Sequence, residues 1–222
     1  DATFNFSEKA IIALPMALLI LTREIDLSVA ATIALASLAM GLRAGLGYGP
    51  WSLAAVGLAV GFLCGVFNGV LVTKIGLPSI VVTIGTMSLF RGLAQVVMGD
   101  QAITTYPAGF STLGQGYLIK WPPIAYSFGL FLMLAGLFAL VLHRTTIGRR
   151  LFAIGNNPTA ARFSGIPVDR IKLALFSLTG VMAGLAAVLL TSRIGSTRSN
   201  IALGWELDII TMVILGGVSI AG

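Results

Sequence analysis

The stretch Trp51–Thr73 reads WSLAAVGLAVGFLCGVFNGVLVT and contains no Asp, Glu, Lys or Arg. An α-helix needs about 20 mostly apolar residues to cross the hydrocarbon core of a bilayer. A helix also bonds its own backbone groups internally, so it is stable where no water is present. The stretch therefore predicts a membrane-spanning helix and an integral membrane protein.

Further apolar stretches extend this pattern on both sides. They cover residues 10–22, 27–42, 78–98, 122–142, 173–192 and 205–222. The first two are short and are separated by the polar sequence Arg23-Glu24-Ile25-Asp26, so they form either two tight helices or one broken element. The last stretch stops inside an apolar run, as expected for part of a longer protein. We expect an all-α polytopic bundle with about seven transmembrane helices, in one domain over residues 1–222.

The composition excludes several classes of protein. Apolar residues make up 57% of the 222 residues and charged residues 10%, against about 25% charged residues in soluble domains. A soluble enzyme, a disordered chain and a nucleic-acid-binding module are excluded, and the net charge of +6 fits membrane topology instead. The lone Cys64 and the lone His143 predict neither a disulfide framework nor a metal site. No nucleophile–base pair or glycine-rich nucleotide loop predicts a catalytic residue.

Basic residues concentrate in the polar connection 144–172. They are Arg144, Arg149, Arg150, Arg162, Arg170 and Lys172, opposed only by Asp169. Cytoplasmic connections of membrane proteins carry an excess of Lys and Arg, so this connection is expected in the cytoplasm. Counting outward along the chain places 23–26 and 74–77 on the same side, and 43–50 and 99–121 on the opposite side.

The connection 144–172 contains a short helix with both ends marked. Asn157 is a favourable N-cap, and Pro158 suits the first helical position. Gly165 suits the left-handed residue that ends a helix, which predicts a helix over 158–164. So short a helix is unstable alone and must dock on something. The pattern leaves two options open, a docking element for a partner protein or an amphipathic connector on the lipid surface.

Four segments resemble the permease subunits of bacterial ABC importers for monosaccharides, a family with ribose, xylose, rhamnose and autoinducer-2 permeases. They are, in family order, Ile25-Asp26-Leu27-Ser28-Val29; Leu77–Thr86 with Arg91-Gly92; Gly155-Asn156-Asn157-Pro158 with Ala160, Ala161, Gly165 and Ile166; and Gly204 with Glu206 and Leu215-Gly216-Gly217-Val218-Ser219. The family usually has glycine where this chain has Arg23, Glu24 and Ala30. That departure resembles the rhamnose and autoinducer-2 branches, of which we favour rhamnose.

The resemblance implies an ATP-driven, binding-protein-dependent sugar importer in the bacterial inner membrane. Its implied partners are cytoplasmic ATPase subunits, a second permease copy or a sibling chain, a periplasmic sugar-binding protein and membrane lipid, with no nucleic acid. ATP would be bound and hydrolysed on the ATPase subunits, so this chain is expected to hold no cofactor and to be no enzyme. An autoinducer-2 importer permease is the alternative within the family.

The resemblance also implies two sets of site residues. The ATPase-coupling set, within the cytoplasmic connection 144–172, is Gly155, Asn157, Pro158, Ala160, Ala161, Arg162, Gly165 and Ile166. Arg162 is either a charged contact or a solvated arginine. Polar groups inside a membrane are costly and usually face a cavity or a partner helix. The candidates for the substrate path are accordingly Glu24, Asp26, Ser28, Asn68, Thr83, Thr86 and Arg91.

Simpler roles remain open for these residues. Thr83 and Ser28 suit hydrogen bonds to helix carbonyls, and Glu24 suits an ion pair with Arg23. Glu206 and Asp208 suit either a contact with the binding protein or the N-terminus of a helix. A different class of protein, an ion-coupled secondary sugar carrier, would use Glu24 and Asp26 to bind protons or sodium. A branched-chain amino-acid permease of the same broad superfamily is opposed by the IDLSV and NNPTAA segments.

Overall fold

A computed structural model describes residues 2–99, 101–120 and 123–218. Its elements are α1 (Ala2–Leu21), α2 (Val29–Gly45), α3 (Pro50–Thr73), α4 (Ser79–Met98), α5 (Ser111–Gln115), β1 (Tyr117–Lys120), β2 (Pro123–Ala125), α6 (Tyr126–Arg144), α7 (Thr146–Asn156), α8 (Pro158–Phe163), α9 (Val168–Ile194) and α10 (Trp205–Leu215). The strands β1 and β2 form a small antiparallel pair. The predicted positions Asp100, Trp121, Pro122 and 219–222 lie outside the described residues.

The predicted helical membrane bundle is confirmed. Among the described residues α3, α4, α6 and α9 are long and apolar enough to cross a membrane, and α2 is a shorter apolar helix. The first predicted stretch is corrected, because α1 begins at Ala2 and runs through Glu8 and Lys9. Glu8 accepts hydrogen bonds from Arg193 at 2.9 and 3.0 Å, and Lys9 pairs with Asp208 at 2.6 Å. These pairs compensate the charges that interrupt the apolar pattern.

The connections that were predicted to lie on the same side of the membrane meet at one end of the bundle. Arg23 Nε donates to the Gly155 carbonyl at 2.8 Å, and the Ile25 amide donates to Ser79 Oγ at 3.3 Å. At the opposite end Ile103 pairs with Thr197 in an isolated β-bridge. The chain therefore alternates between the two ends as the charge pattern predicted, and α1 and α2 are two helices, not one broken helix.

Glycines bring α3 and α9 into backbone contact. A Cβ atom on Gly61 would lie 2.3 Å from the Gly180 carbonyl oxygen, and one on Gly65 would lie 2.4 Å from the Phe176 carbonyl oxygen. No side chain fits at those distances, so glycine is required at both positions. Small residues at a four-residue spacing allow such packing in lipid. Gly61, Gly65 and Gly69 have this spacing, and all three lie against α9.

The centre of the bundle lies between α1, α2 and α9. Its buried apolar side chains include Ile12, Met16, Ile33, Met40 and Ala187. The outward faces of α4 and α6 expose large apolar side chains instead, among them Val81, Val96, Leu132 and Met133. An apolar outer surface is expected where helices contact lipid, because lipid tails are as apolar as the side chains.

Candidate functional site

The short helix α8 lies in the basic connection and has the predicted ends. Asn157 Oδ1 accepts hydrogen bonds from the amides of Thr159 and Ala160, both at 3.0 Å. Pro158 is the first helical residue, and Gly165 has a φ of +81° just after the helix. The caps are therefore confirmed, while the helix ends at Phe163, one residue before the predicted end, because Ser164 forms the C-cap.

One face of α8 is anchored and the other is bare. Ala161 is buried against Ile154 of α7 and Val168 of α9, with Ile166 packed beside them. Ala160 is exposed, and the Phe163 side chain is 90% exposed. An apolar aromatic ring with so little protein contact marks the free face of the helix as a surface that gains from being covered.

Arg162 has a partner within the chain. Its Nη2 atom donates to Asp169 Oδ1 at 2.6 Å, and both side chains are about half exposed. Exposed ion pairs contribute only about 0–1 kcal/mol, so this contact is easily exchanged for another acidic group. The arginine predicted as a charged contact is therefore available to a partner, at the cost of one weak surface pair.

Helix α7 was missed in the sequence. Thr145 caps it by accepting a hydrogen bond from the Ile147 amide at 3.2 Å, and Leu151 and Ile154 are fully buried. The signal was present, because a threonine precedes apolar residues at 147, 151 and 154, which share one helix face. This helix matters for the site because it ends at Asn156, immediately before the cap of α8.

The connection 22–28 holds the first path candidates at the same end of the bundle. Glu24 accepts a short hydrogen bond from Lys172 of α9 in an ion pair, so its partner is not Arg23. Arg23 instead donates to the carbonyls of Gly155 at 2.8 Å and Asn156 at 3.1 Å. Glu24 is therefore compensated by a lysine at the mouth of the bundle.

Three path candidates form one buried polar cluster: Asp26, Ser28 and Asn68. Asp26 Oδ1 accepts from the Ser28 amide at 2.8 Å and from Ser28 Oγ at 2.7 Å. Asn68 Nδ2 donates to Ser28 Oγ at 2.7 Å. Burial raises the pKa of the Asp26 carboxyl, which lies in the connection between two helices, while the bonds from Ser28 and Asn68 lower it in part. Asn68 Oδ1 has no partner among the described residues.

The remaining path candidates lie on α4. Thr83 Oγ1 bonds to the Ser79 carbonyl at 2.8 Å, and Thr86 Oγ1 bonds to the Thr83 carbonyl at 3.4 Å. The Thr83 bond is the helix-carbonyl bond foreseen as its simpler role, and Thr86 makes a bond of the same kind. Thr83 Oγ1 also makes a longer contact of 3.4 Å with the Ile25 carbonyl. This contact joins α4 to the connection 22–28, which carries Asp26 and Ser28 of the buried polar cluster.

Arg91 lies apart from the buried polar cluster. Its Nη1 atom donates to the carbonyls of Ser199 and Ile201, each at 2.8 Å, in the connection before α10. The Arg91 guanidinium group thus holds the connection 195–204 against α4 at the far end of the bundle. The path candidates are thus divided between the two ends of the molecule.

Sequence reasoning missed a hydroxyl cluster at that far end. Ser37 Oγ lies 2.7 Å from Thr191 Oγ1 and 2.6 Å from Thr197 Oγ1, and the Tyr106 hydroxyl bonds to Thr197. Burial raises the pKa of the Tyr106 hydroxyl, and its bonds with Thr197 and Ser37 lower it in part. No sequence pattern marked these residues, because they come from four separate segments of the chain.

The described residues suit binding and movement more than covalent chemistry. No group of three or more His, Cys, Asp or Glu side chains within them lies close enough to hold a metal ion. What they offer is a buried set of hydrogen-bonding groups, a capped helix with one bare face, and polar contacts that join the two. Such buried polar groups are of the kind that can form hydrogen bonds with hydroxyl groups.

The chain matches known transport permeases over nearly its whole length. A family profile described as "Branched-chain amino acid transport system / permease component" matches residues 3–222. The autoinducer 2 import system permease protein LsrD of Yersinia enterocolitica is 38% identical over 100% of this chain and 68% of its own length. LsrC permeases of Enterobacter sp. strain 638 and of Yersinia pestis Pestoides F are 36% and 35% identical, over 96% of this chain.

Those LsrC relatives are covered over only 61% and 60% of their own lengths, so this chain spans about three fifths of each. No solved structure matches the chain significantly. The relatives are named as permease proteins of import systems, and ABC importer permeases work in general with ATPase and binding-protein partners. The several apolar helices agree with a multi-pass protein of the bacterial inner membrane. By the profile match and these identities, the chain belongs to the permease family of bacterial ABC importers.

Proposed function

We propose that this chain forms the membrane pathway of an ATP-driven importer for autoinducer-2 or a closely similar small polyhydroxylated ligand. Relatives with 38% and 36% identity carry the name of autoinducer 2 import permeases, which supports this substrate over others of the family. Rhamnose, which the sequence favoured, has no support among these relatives, and the alternative replaces it. The ligand's hydroxyl groups require hydrogen-bonding partners inside the membrane, which the chain supplies.

The single observation that carries the coupling role is the free face of α8. The helix is rigid because Asn157 and Gly165 define its ends, and Ala161 holds it on the bundle. The bare Phe163 ring and the exchangeable Arg162 point away from that anchor. We infer that they enter a cleft of a cytoplasmic ATPase subunit, so that closure of the ATPase moves α8. ATP is bound and hydrolysed on that subunit, and its state then biases the permease conformation.

The buried polar cluster is the proposed part of the path nearest the cytoplasm. Asn68 Oδ1 has no partner in the described part of the chain although its side chain is fully buried, which suits a group that meets a ligand hydroxyl when the helices separate. Thr83 and Thr86, which lie on α4, form the next part of the proposed path. Arg91 acts at the opposite end, where the binding protein would deliver the ligand, and Glu24 stands at the cytoplasmic mouth.

The proposed assembly contains two permease chains, either two copies or this chain with a sibling, surrounded by membrane lipid. Two cytoplasmic ATPase subunits and one periplasmic binding protein complete it. The ion-coupled carrier is less well supported, because the carboxylates it needs already have partners. Glu24 pairs with Lys172, and Asp26 accepts both donors of Ser28.

Uptake in proteoliposomes tests this function. The full-length permease is reconstituted with its neighbouring ATPase and binding protein, and entry of labelled autoinducer-2 is followed with and without ATP on the cytoplasmic side. Uptake that needs both ATP and the binding protein, with weak competition from rhamnose and ribose, is expected. Stronger competition by rhamnose would indicate that rhamnose is the substrate. Uptake driven by an ion gradient without ATP would favour the ion-coupled secondary carrier.

The docking face of α8 has its own test. Phe163→Ala and Arg162→Glu should each reduce the amount of ATPase that co-purifies in detergent, without lowering Tm, because both side chains are exposed. Phe62→Ala is the matched control, since Phe62 is 47% exposed on α3 within the membrane. Undiminished co-purification of both variants would contradict docking through this face.

A further inference from the structure

Arg23 adopts a backbone conformation that is unfavourable for it. Its φ is +64°, and Ala202 is the only other non-glycine residue among those described with a positive φ. The left-handed region brings Cβ close to the backbone and is visited freely only by glycine. Strain of this kind persists where the surrounding contacts compensate it, and it clusters at functional sites. Contacts of the Arg23 side chain are therefore expected to compensate this strain.

The Arg23 side chain binds the junction between α7 and α8. Its Nε and Nη2 atoms donate to the carbonyls of Gly155 and Asn156, at 2.8 and 3.1 Å. These are the last residues of α7, whose carbonyls have no partner within their own helix. A positive charge is also favourable at a helix C-terminus. The same junction packs closely against the end of α1, because a Cβ atom on Gly155 would lie 2.3 Å from the Leu21 carbonyl oxygen.

The residues that follow Arg23 contact three further helices in turn. Glu24 pairs with Lys172 of α9. The Ile25 amide donates to Ser79 Oγ at the start of α4, at 3.3 Å. Ser28 then joins Asn68 of α3 through a 2.7 Å hydrogen bond. The connection 22–28 is thus bonded on one side to the helix pair α7–α8 and on the other to the helices that carry the buried polar cluster.

We propose that Arg23 is a positioning residue for coupling, through which the connection 22–28 relays displacement of α8 to the buried polar cluster and the first turn of α4. The relay rests on the proposed function. Ile154 of α7 and Ala161 of α8 belong to one packed group, so the two helices move together. Their movement displaces the carbonyls that Arg23 holds, and the rigid bonds of Ile25 and Ser28 pass it to α4 and α3.

Arg23→Gly tests the relay in the full-length permease, reconstituted with its ATPase and binding protein. Glycine accepts the positive φ but removes both bonds to the α7–α8 junction. We expect an unchanged or higher Tm, continued ATP hydrolysis, and a fall of about 5-fold or more in ligand transported per ATP hydrolysed. Ala202→Gly is the matched control, because it relieves a φ of +57° where no such clamp exists, and should leave that ratio unchanged.

The possible outcomes separate a relay from a structural role. A lower Tm with an unchanged ratio of transport to ATP hydrolysis would overturn the relay, and so would no change in either. If Arg23→Gly does not assemble, the reversals Glu24→Lys and Lys172→Glu replace it. Each alone should lower the ratio and the double variant should restore it, whereas no recovery would overturn the relay. Absence of ATP-dependent uptake in the unmodified protein would refute the proposed function, and the relay with it.

Discussion

Asn68 combines complete burial with incomplete hydrogen bonding. Its amide nitrogen donates to Ser28 at 2.7 Å, while Oδ1 has no partner within the described residues. A buried polar atom without a partner costs about 1–3 kcal/mol, so the residue is not explained by stability alone. The proposed role in binding the ligand would account for an acceptor that is buried in this conformation.

Asn68→Leu should slow ligand uptake but change the free energy of unfolding little, because the Ser28 hydroxyl loses its donor while the cost of the unpaired Oδ1 is removed. Uptake kinetics and thermal unfolding of the assembled permease measure the two effects. Thr179→Val is the control, since Thr179 is equally buried but bonds only the Leu175 carbonyl of its own helix, at 2.9 Å. Wild-type uptake kinetics in Asn68→Leu would show that the residue only packs.

Gly165→Val should uncouple the ATPase while the membrane helices stay folded. The position has a φ of +81° and nothing within 4 Å of an added Cβ, so the change introduces backbone strain and no collision. We expect a cost of about 1–3 kcal/mol, confined to the end of α8. ATPase stimulation by the permease is the measurement.

Gly136→Val on α6 is the matched control for Gly165→Val, because it has equally open surroundings and lies inside a regular helix. Normal transport together with normal ATPase stimulation in Gly165→Val would remove the coupling role of the α8 terminus.

Helices α3 and α9 form the closest pair in the bundle, and their contact is backbone to backbone. Reciprocal approach is evident, because a Cβ atom on Gly180 would lie 2.2 Å from the Gly61 carbonyl oxygen. Each helix thus presents a groove without side chains to the other. Van der Waals packing is a main force that associates helices in lipid, so this close contact contributes strongly to holding α3 on α9.

Gly61→Ala should separate α3 from α9 and lower the free energy of unfolding by about 1–3 kcal/mol or more, since the added methyl group has no space. Thermal unfolding in detergent is the measurement. Gly85→Ala on α4 has nothing within 4 Å and is the control. A Tm of Gly61→Ala equal to that of Gly85→Ala would mean that the two helices are not held as closely as described.

Among the elements, those with a long uncharged run or a local cap were predictable, and the others were not. The spans of α3, α6 and α9 follow from apolar length. The start of α1 was wrong, because Glu8 and Lys9 break the apolar pattern and only their pairing with Arg193 and Asp208 explains their place in a helix. The hairpin β1–β2 has no turn or alternation signal that distinguishes it from a loop.

The molecule as a whole has two unlike ends. One carries α7, α8 and the basic residues between Arg144 and Lys172, and the other carries the hydroxyl cluster and the connection 195–204. From the excess of positive charge, we expect the first end to lie in the cytoplasm. The ATPase and the binding protein would therefore approach from opposite sides of the membrane. The buried polar cluster would lie nearer the ATPase, and Arg91 would lie nearer the binding protein.

Cysteine labelling of intact cells checks this orientation. Cys64 is buried, so single cysteines introduced at exposed positions give a clear signal. Ser164→Cys should react with a membrane-impermeant maleimide only after the cytoplasmic side is opened, and Thr112→Cys should react from outside. Both residues are exposed in the structure. Labelling of both cysteines from the same side would contradict the topology.

The membrane class, the main helices, the caps of α8 and the family could all be predicted from the amino-acid sequence. All of these depend on apolar length or on bonds between residues a few positions apart, which a linear sequence displays directly. The long-range partners became known only from the folded structure: Arg23 with Gly155, Glu24 with Lys172, and Ser37 with Thr197. These pairs are far apart in the chain and meet only because the helices and connections that carry them pack together, a geometry that no local pattern encodes.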